Sequence, residues 1–168
     1  HAFTGRSPGR PKNERTPLGG LAEPGLGAED DIGWLATGDL GYIDDQERLH
    51  LSGRSKDLII RSGRNLDPKV IEDALAAHPA VQRRAAVGAP DPYAGELPVV
   101  FATLIPGAAA TEEELLAFVC AGVDEPPARP KRVTILEVMP MTNVGKIYKP
   151  DLRELAAKAT AEQTPSAD

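Results

Sequence analysis

Three short stretches place charged side chains in glycine-bounded connections, where a chain can hold a reactive group against a ligand. "PMTNVGKIYK" sets Lys146 directly after Gly145, in a loop that reads as the link between a strand and a helix. "SGRSKDLIIRSG" puts Arg54 and Lys56 in a tight connection between strands, and "TGDLGY" sets Asp39 behind Thr37-Gly38. A compact ammonium on a flexible stem, or a guanidinium fork, suits anionic partners. Each stretch taken alone also has a plainer reading. Exposed Gly-Lys pairs are common, an Arg-x-Lys is usually solvated surface, and an aspartate after glycine is usually a turn residue.

Other chemistries find less support. His1, His50 and His78 have no partner at metal-ligand spacing. The single cysteine, Cys120, lies in an apolar helical pattern and reads as a buried core thiol rather than a nucleophile. One cysteine makes no internal disulfide, which fits a reducing, cytoplasmic setting. The formal net charge of −6 argues against a general nucleic-acid binder, which needs a cationic face. No apolar run approaches a membrane span and no signal-peptide pattern is seen. The chain begins with His1 rather than Met and reads as a fragment of a longer protein.

The elements that must position these residues follow from pattern. The segment to about residue 33 includes "RSPGRPKNERTPLGGLAEPGLGAEDD", about a third Gly plus Pro, with no helical or strand period. "GYIDDQERLHLSGR" predicts a hairpin with Leu49 and Leu51 on one face, and "DLIIRSG" a short strand ending at Gly63. "NLDPKVIEDALAAHPAV" predicts a helix capped by Asp67, opened by Pro68, striped by Val70, Ile71, Ala74 and Leu75, and ended at His78-Pro79. "VQRRAAVGAP" and "LPVVFATLIPG" predict strands joined by the turn-rich "DPYAGE". "TEEELLAFVCAGV" predicts a helix with a Thr111/Glu114 capping box. "KRVTILEVM" predicts a strand, "KPDLRELAAKATAE" a short amphipathic helix, and "QTPSAD" a frayed tail. The order predicts an α+β fold: a small mixed sheet with helices packed on it, preceded by the Gly/Pro-rich segment and the hairpin.

Taken together, TGDLGYxD, GRxKDxIIxxG, a proline-led helix ending in HPAV, and PxTxxGKIxK resemble the adenylate-forming (AMP-binding) superfamily. That superfamily includes acyl-CoA synthetases, peptide-synthetase adenylation domains and firefly luciferase. The resemblance covers about Gly33 to Leu155. "GRNLDPKVIEDAL", "PDPYAGELPVVF" and "VGKIYKPDLR" are most similar to fatty-acyl and related acyl-CoA synthetases.

The resemblance implies a division into three parts. Residues 1–51 would be a remnant of the large N-terminal domain, 52–161 the C-terminal domain, and 162–168 a disordered tail. It implies that Asp39 holds the ribose hydroxyls of ATP, that Arg54 reaches the same region, and that Lys56 stands at the hinge between the domains. It further implies that Gly63 lets the pantetheine arm of coenzyme A pass for want of a Cβ, with Arg64 beside that path. Lys146 would contact the carboxylate substrate and the α-phosphate. The implied parent reaction joins a carboxylic acid, ATP and CoA, with Mg²⁺, into acyl-CoA, AMP and pyrophosphate. The isolated chain, without the phosphate-gripping loop and the adenine and acyl pockets of the large domain, is expected to bind none of these alone and to be inactive. The other readings are a stand-alone interaction module serving a partner domain or carrier protein in trans, and a non-functional gene remnant. Two departures stand out. Met141 occupies a position where lysine or leucine is common, and Ser62-Gly63-Arg64 replaces a common Gly-Gly-His.

Overall fold

The computed structural model describes residues 16–17 and 38–163. The chain divides into two compact units, His1–Lys56 and Asp57–Asp168. The expected irregularity up to about residue 33 and the Thr37 end of the TGD motif lie outside the described residues, except for two positions. Thr16–Pro17 forms β1, paired antiparallel with Gly41 and Leu40, where no strand was expected.

The rest of the first unit is the expected hairpin. β2 (Asp39–Ile43) and β3 (Leu49–Arg54) pair antiparallel, with a register shift between Leu40 and Gly41. Its turn is built by Asp44, whose carboxylate accepts bonds from the Gln46 and Arg48 amides, the side-chain mimicry that suits aspartate to turns. Leu49 and Leu51 do share a face, and both are exposed.

The second unit is the mixed sheet. β4 (Ile59–Arg61) and β5 (Arg64–Leu66) form a hairpin, which docks on the start of β7 (Gly95–Leu104) through Arg61 and Gly95. β6 (Val81–Asp91) pairs antiparallel along β7, and β8 (Arg132–Ile135) pairs parallel to β7 on its other side. β6 is an edge strand.

Alternation along β6 and β7 sends side chains to two cores. Ala86, Val100 and Ala102 join Ile71 and Leu75 of α1 (Pro68–Ala76) and Leu115 and Val119 of α2 (Glu112–Gly122). Ala85, Val87, Val99 and Phe101 point the opposite way, onto Leu152 and Ala156 of α3 (Lys149–Gln163). The unit is therefore helix pair, sheet, single helix. Each fully buried leucine or isoleucine contributes about 1.5–3 kcal/mol.

Helix starts follow their sequence signals. Asp67 accepts the Lys69 amide ahead of Pro68, and Thr111 and Glu114 make both bonds of the capping box. Three expectations need correction. Val70 is exposed, because the stripe buried against the sheet centres on Ile71 and Leu75. Cys120 is half-buried rather than a core thiol: it lies beside the buried face that Val119 occupies, with its Sγ 3.6 Å from the Pro130 carbonyl. α3 is not short. It runs through residues 162 and 163, assigned above to the tail, and residues 164–168 lie outside the described residues.

Candidate active site

Lys146 sits in a tight hairpin between β8 and α3. The Thr142 amide donates to the Lys146 carbonyl at 2.6 Å, and the Gly145 amide to the Thr142 carbonyl at 2.9 Å. This is a three-residue loop, Asn143-Val144-Gly145, whose last residue turns left-handed, and Gly145 has φ 78°. The Thr142 hydroxyl accepts the Lys146 amide at 3.1 Å. Below the loop, Met141 and Ile147 form a bridge pair, and both pack against the α3-side core. The Tyr148 amide closes the base on the Pro140 carbonyl at 2.9 Å. The backbone of Lys146 is thus fixed while its side chain is exposed, and its ammonium has no ion pair among the described residues. Met141, the departure noted above, serves as an apolar anchor for this stem.

Gly63 occupies the other hairpin. Ser62 and Gly63 are the two turn residues between β4 and β5, with φ 49° and 75°. Two positive φ values mark the tight turn that matches the twist of paired strands. A Cβ on Gly63 would meet nothing within 4 Å. Within this unit the conformation therefore accounts for the glycine, not crowding. Arg64 is exposed and pairs with Glu125 at 3.4 Å. The hairpin is held to β7 by the Ser62 amide on the Ala94 carbonyl at 2.7 Å. It is also held by the Ile60 amide on the Glu96 carboxylate, at 2.7 Å. Ile59 and Leu66 root it in the core under α1 and α2.

In the first unit, Asp39 and Arg54 face each other across β2 and β3, and Arg54 Nε lies 3.1 Å from Asp39 Oδ1. Two residues singled out separately in the sequence thus form one charged pair. Lys56 lies in a 3₁₀ turn, Ser55–Asp57, and the boundary between the two units falls immediately after it.

Three contacting residues were not legible as site residues. Glu72 of α1, Glu96 of β7 and Lys149 of α3 all make their bonds to residues distant in sequence. Among the described residues no group of three or more His, Cys, Asp or Glu side chains is placed to hold a metal ion, and no helix is long and apolar enough to cross a membrane.

Residues 70–146 match the family described as "AMP-binding enzyme C-terminal domain". A marinolic acid–CoA ligase of Pseudoalteromonas sp. is 50% identical over 121 residues, covering 72% of this chain and 18% of that protein. A long-chain-fatty-acid–CoA ligase of Bacillus subtilis is 41% identical over 122 residues, covering 73% of this chain and 22% of the relative. The crystal structure of ATP-bound MatB from Rhodopseudomonas palustris superposes with a TM-score of 0.69 at 35% identity, over 75% of this chain and 25% of that one. The chain thus spans about a quarter or less of the length of these relatives.

Proposed function

We propose that this chain, whose residues 70–146 match the AMP-binding enzyme C-terminal domain family, works as the mobile lid of an ATP-dependent acid–CoA ligase. The observation that carries the reading is the placement of two loops on opposite faces of one sheet. The Lys146 stem is rooted in the α3-side core, and the Ser62-Gly63 turn in the core under α1 and α2. One small body can then offer either loop to a single site by turning, a hinge-type closure. Lys56, at the boundary between the two units, is the hinge residue of this reading.

In the first half-reaction a carboxylate attacks the α-phosphate of ATP and expels pyrophosphate. Two anions must approach, and charge spreads over the phosphoryl oxygens. Lys146 supplies an ammonium on a flexible stem that touches both and follows the shifting charge. The rigid backbone beneath it limits the search. Asp39 accepts the ribose hydroxyls, and Arg54, 3.1 Å away, orients that carboxylate. Mg²⁺ accompanies the nucleotide as part of the substrate. In the second half-reaction the Lys146 loop withdraws, and the face carrying Gly63 and Arg64 lines the path of the CoA thiol to the acyl-adenylate. The remaining length of such a ligase supplies the adenine and acyl pockets, so this chain alone does not turn over. The lone, half-buried cysteine suits a cytoplasmic setting.

The test is Lys146→Ala in a complete ligase carrying this chain. Pyrophosphate exchange should fall about 10²–10³-fold, the usual loss for one preorganised donor, while thioester formation from supplied acyl-adenylate persists. Equal exchange rates with alanine and lysine would remove the reading.

A further inference from the structure

A second lysine, three residues after Lys146, is tied down rather than free. Lys149 opens α3, and its Nζ lies 2.8 Å from Glu72 Oε1, with the two side chains 18% and 22% exposed. Glu72 belongs to α1, on the opposite face of the sheet. Its carboxylate also accepts the Ala86 amide of edge strand β6 at 2.9 Å, and its backbone carbonyl accepts Arg84 Nε at 3.1 Å. Glu72 is thereby fixed to the sheet margin, and Lys149 reaches around that margin to meet it.

The pair lies at the foot of the Lys146 loop. The Lys146 loop has two stem segments, joined by the Met141–Ile147 bridge. The first descends from Met139, buried in the α3-side core. The second runs through Ile147 and Tyr148 straight into Lys149. Apolar packing through Leu152 and Ala156 holds α3 against the sheet, but such packing is non-directional, and a second directional tie of the helix, Arg153 to Asp57 at 2.8 Å, lies one turn further from the loop. A charge-assisted bond to a carboxylate already fixed on β6 has direction, and it sits at the end of α3 nearest the loop.

We propose that Glu72 and Lys149 are a positioning pair, which sets the helix start and so the point from which the Lys146 ammonium reaches. The inference rests on the function proposed above and adds a residue pair to it. The pair acts through Lys146 and touches no substrate. A displacement of about 1 Å at a reacting group can cost up to about 10²-fold in rate, so removing the pair should slow the step that uses Lys146. It should leave the Ser62-Gly63 face, which is rooted in the other core, unchanged.

The experiment has two arms. In this chain, Lys149→Met and Glu72→Gln are compared by amide hydrogen exchange; Glu72→Gln keeps an acceptor for the Ala86 amide and serves if Lys149→Met fails to fold. Faster exchange at Lys146 and Tyr148, with Val100 unchanged and protection restored by Lys149→Arg, supports the pair. Unchanged exchange at Lys146 and Tyr148 overturns it. In a complete ligase, Lys149→Met should lower the maximal adenylation rate about 10- to 10²-fold, with KM for ATP and the thioester-forming step unaltered. Equal loss in both half-reactions means a merely structural role and also overturns it. If the unsubstituted ligase shows no pyrophosphate exchange, the proposed function fails, and the exchange arm decides the positioning claim by itself.

Discussion

Thr142 and Lys146 hold each other by two hydrogen bonds: the Thr142 amide donates to the Lys146 carbonyl, and the Lys146 amide donates to the Thr142 hydroxyl; the Gly145 amide closes the loop on the Thr142 carbonyl. The β2–β3 turn repeats this arrangement. The Asp44 amide donates to the Arg48 carbonyl, the Glu47 amide to the Asp44 carbonyl, and the Arg48 amide to an Asp44 carboxylate oxygen. The left-handed position is Gly145 in one loop and Glu47 in the other, at φ 78° and 60°. The lysine loop therefore carries the less strained version. Gly145→Ala should destabilise the second unit by about 1 kcal/mol, and Thr142→Val by about 1 kcal/mol through the lost acceptor. Thr142→Ser should cost little. Urea denaturation with an unchanged slope checks these values; a neutral Gly145→Ala would contradict the left-handed geometry.

The Glu96 carboxylate lies over Gly88, so that a Cβ on Gly88 would stand 2.5 Å from it. From there its Oε2 accepts the Ile60 amide. Gly88→Ala must push aside only the end of a flexible side chain, so the fold should survive. The Ile60 bond should not, and its loss costs about 1 kcal/mol. Amide exchange at Ile60 should quicken in both Gly88→Ala and Glu96→Ala, and the two effects should not add, because both remove one bond. Additive effects would show that Glu96 keeps its bond when Gly88 is replaced.

Gly63 separates conformation from space. With φ 75° and open surroundings, Gly63→Ala should cost about 1 kcal/mol from backbone strain, and Gly63→Asn less, since asparagine tolerates this region. Both are read by denaturation of this chain. In a complete ligase, a loss of thioester formation that grows with side-chain size from alanine to leucine, beyond the change in stability, would mark the turn as the wall of the thiol path. A loss that tracks stability alone would assign Gly63 to the turn only.

What the sequence disclosed was mostly local. Asp67-Pro68 and the Thr111/Glu114 pair act within one helical turn, and each makes the bonds its spacing implies. β5 escaped notice because Arg64-Asn65-Leu66 has no alternation of its own; pairing with β4 makes it a strand. The available signal was Ser62-Gly63, a turn-forming pair after an apolar run. Glu72 and Lys149 are 77 residues apart, and Ile60 and Glu96 are 36 apart, so each partner looks like ordinary surface until the sheet brings them together. Helical spacing located Ile71 and Leu75 at the centre of a buried stripe. It could not say how wide the stripe was, which is why Val70 and Cys120 ended at or beyond its margin.

The Asp44 carboxylate sets a pH dependence for the β2–β3 hairpin. His50 Nε2 lies 2.8 Å from its Oδ2, and the Arg48 and Gln46 amides and Arg48 Nε also donate to it. The bond with His50, followed by the Arg48 amide, holds the Asp44 pKa well below the usual carboxylate range. A depressed folded-state pKa favours the hairpin at any pH above the unfolded value of about 3.9. That contribution is lost as pH falls through the lower, folded value. The carboxyl ¹³C resonance of Asp44, followed downward from pH 7, should therefore remain that of an ionised group at pH 3.9, where an ordinary aspartate is half protonated. The amides of Gln46 and Arg48 should hold their shifts over the same range. Asp44→Asn should abolish this acid dependence and loosen the turn at every pH, because the amide side chain carries one acceptor oxygen where the carboxylate has two. A midpoint near 3.9 for Asp44 would mean that the hairpin does not hold its carboxylate in the ionised state.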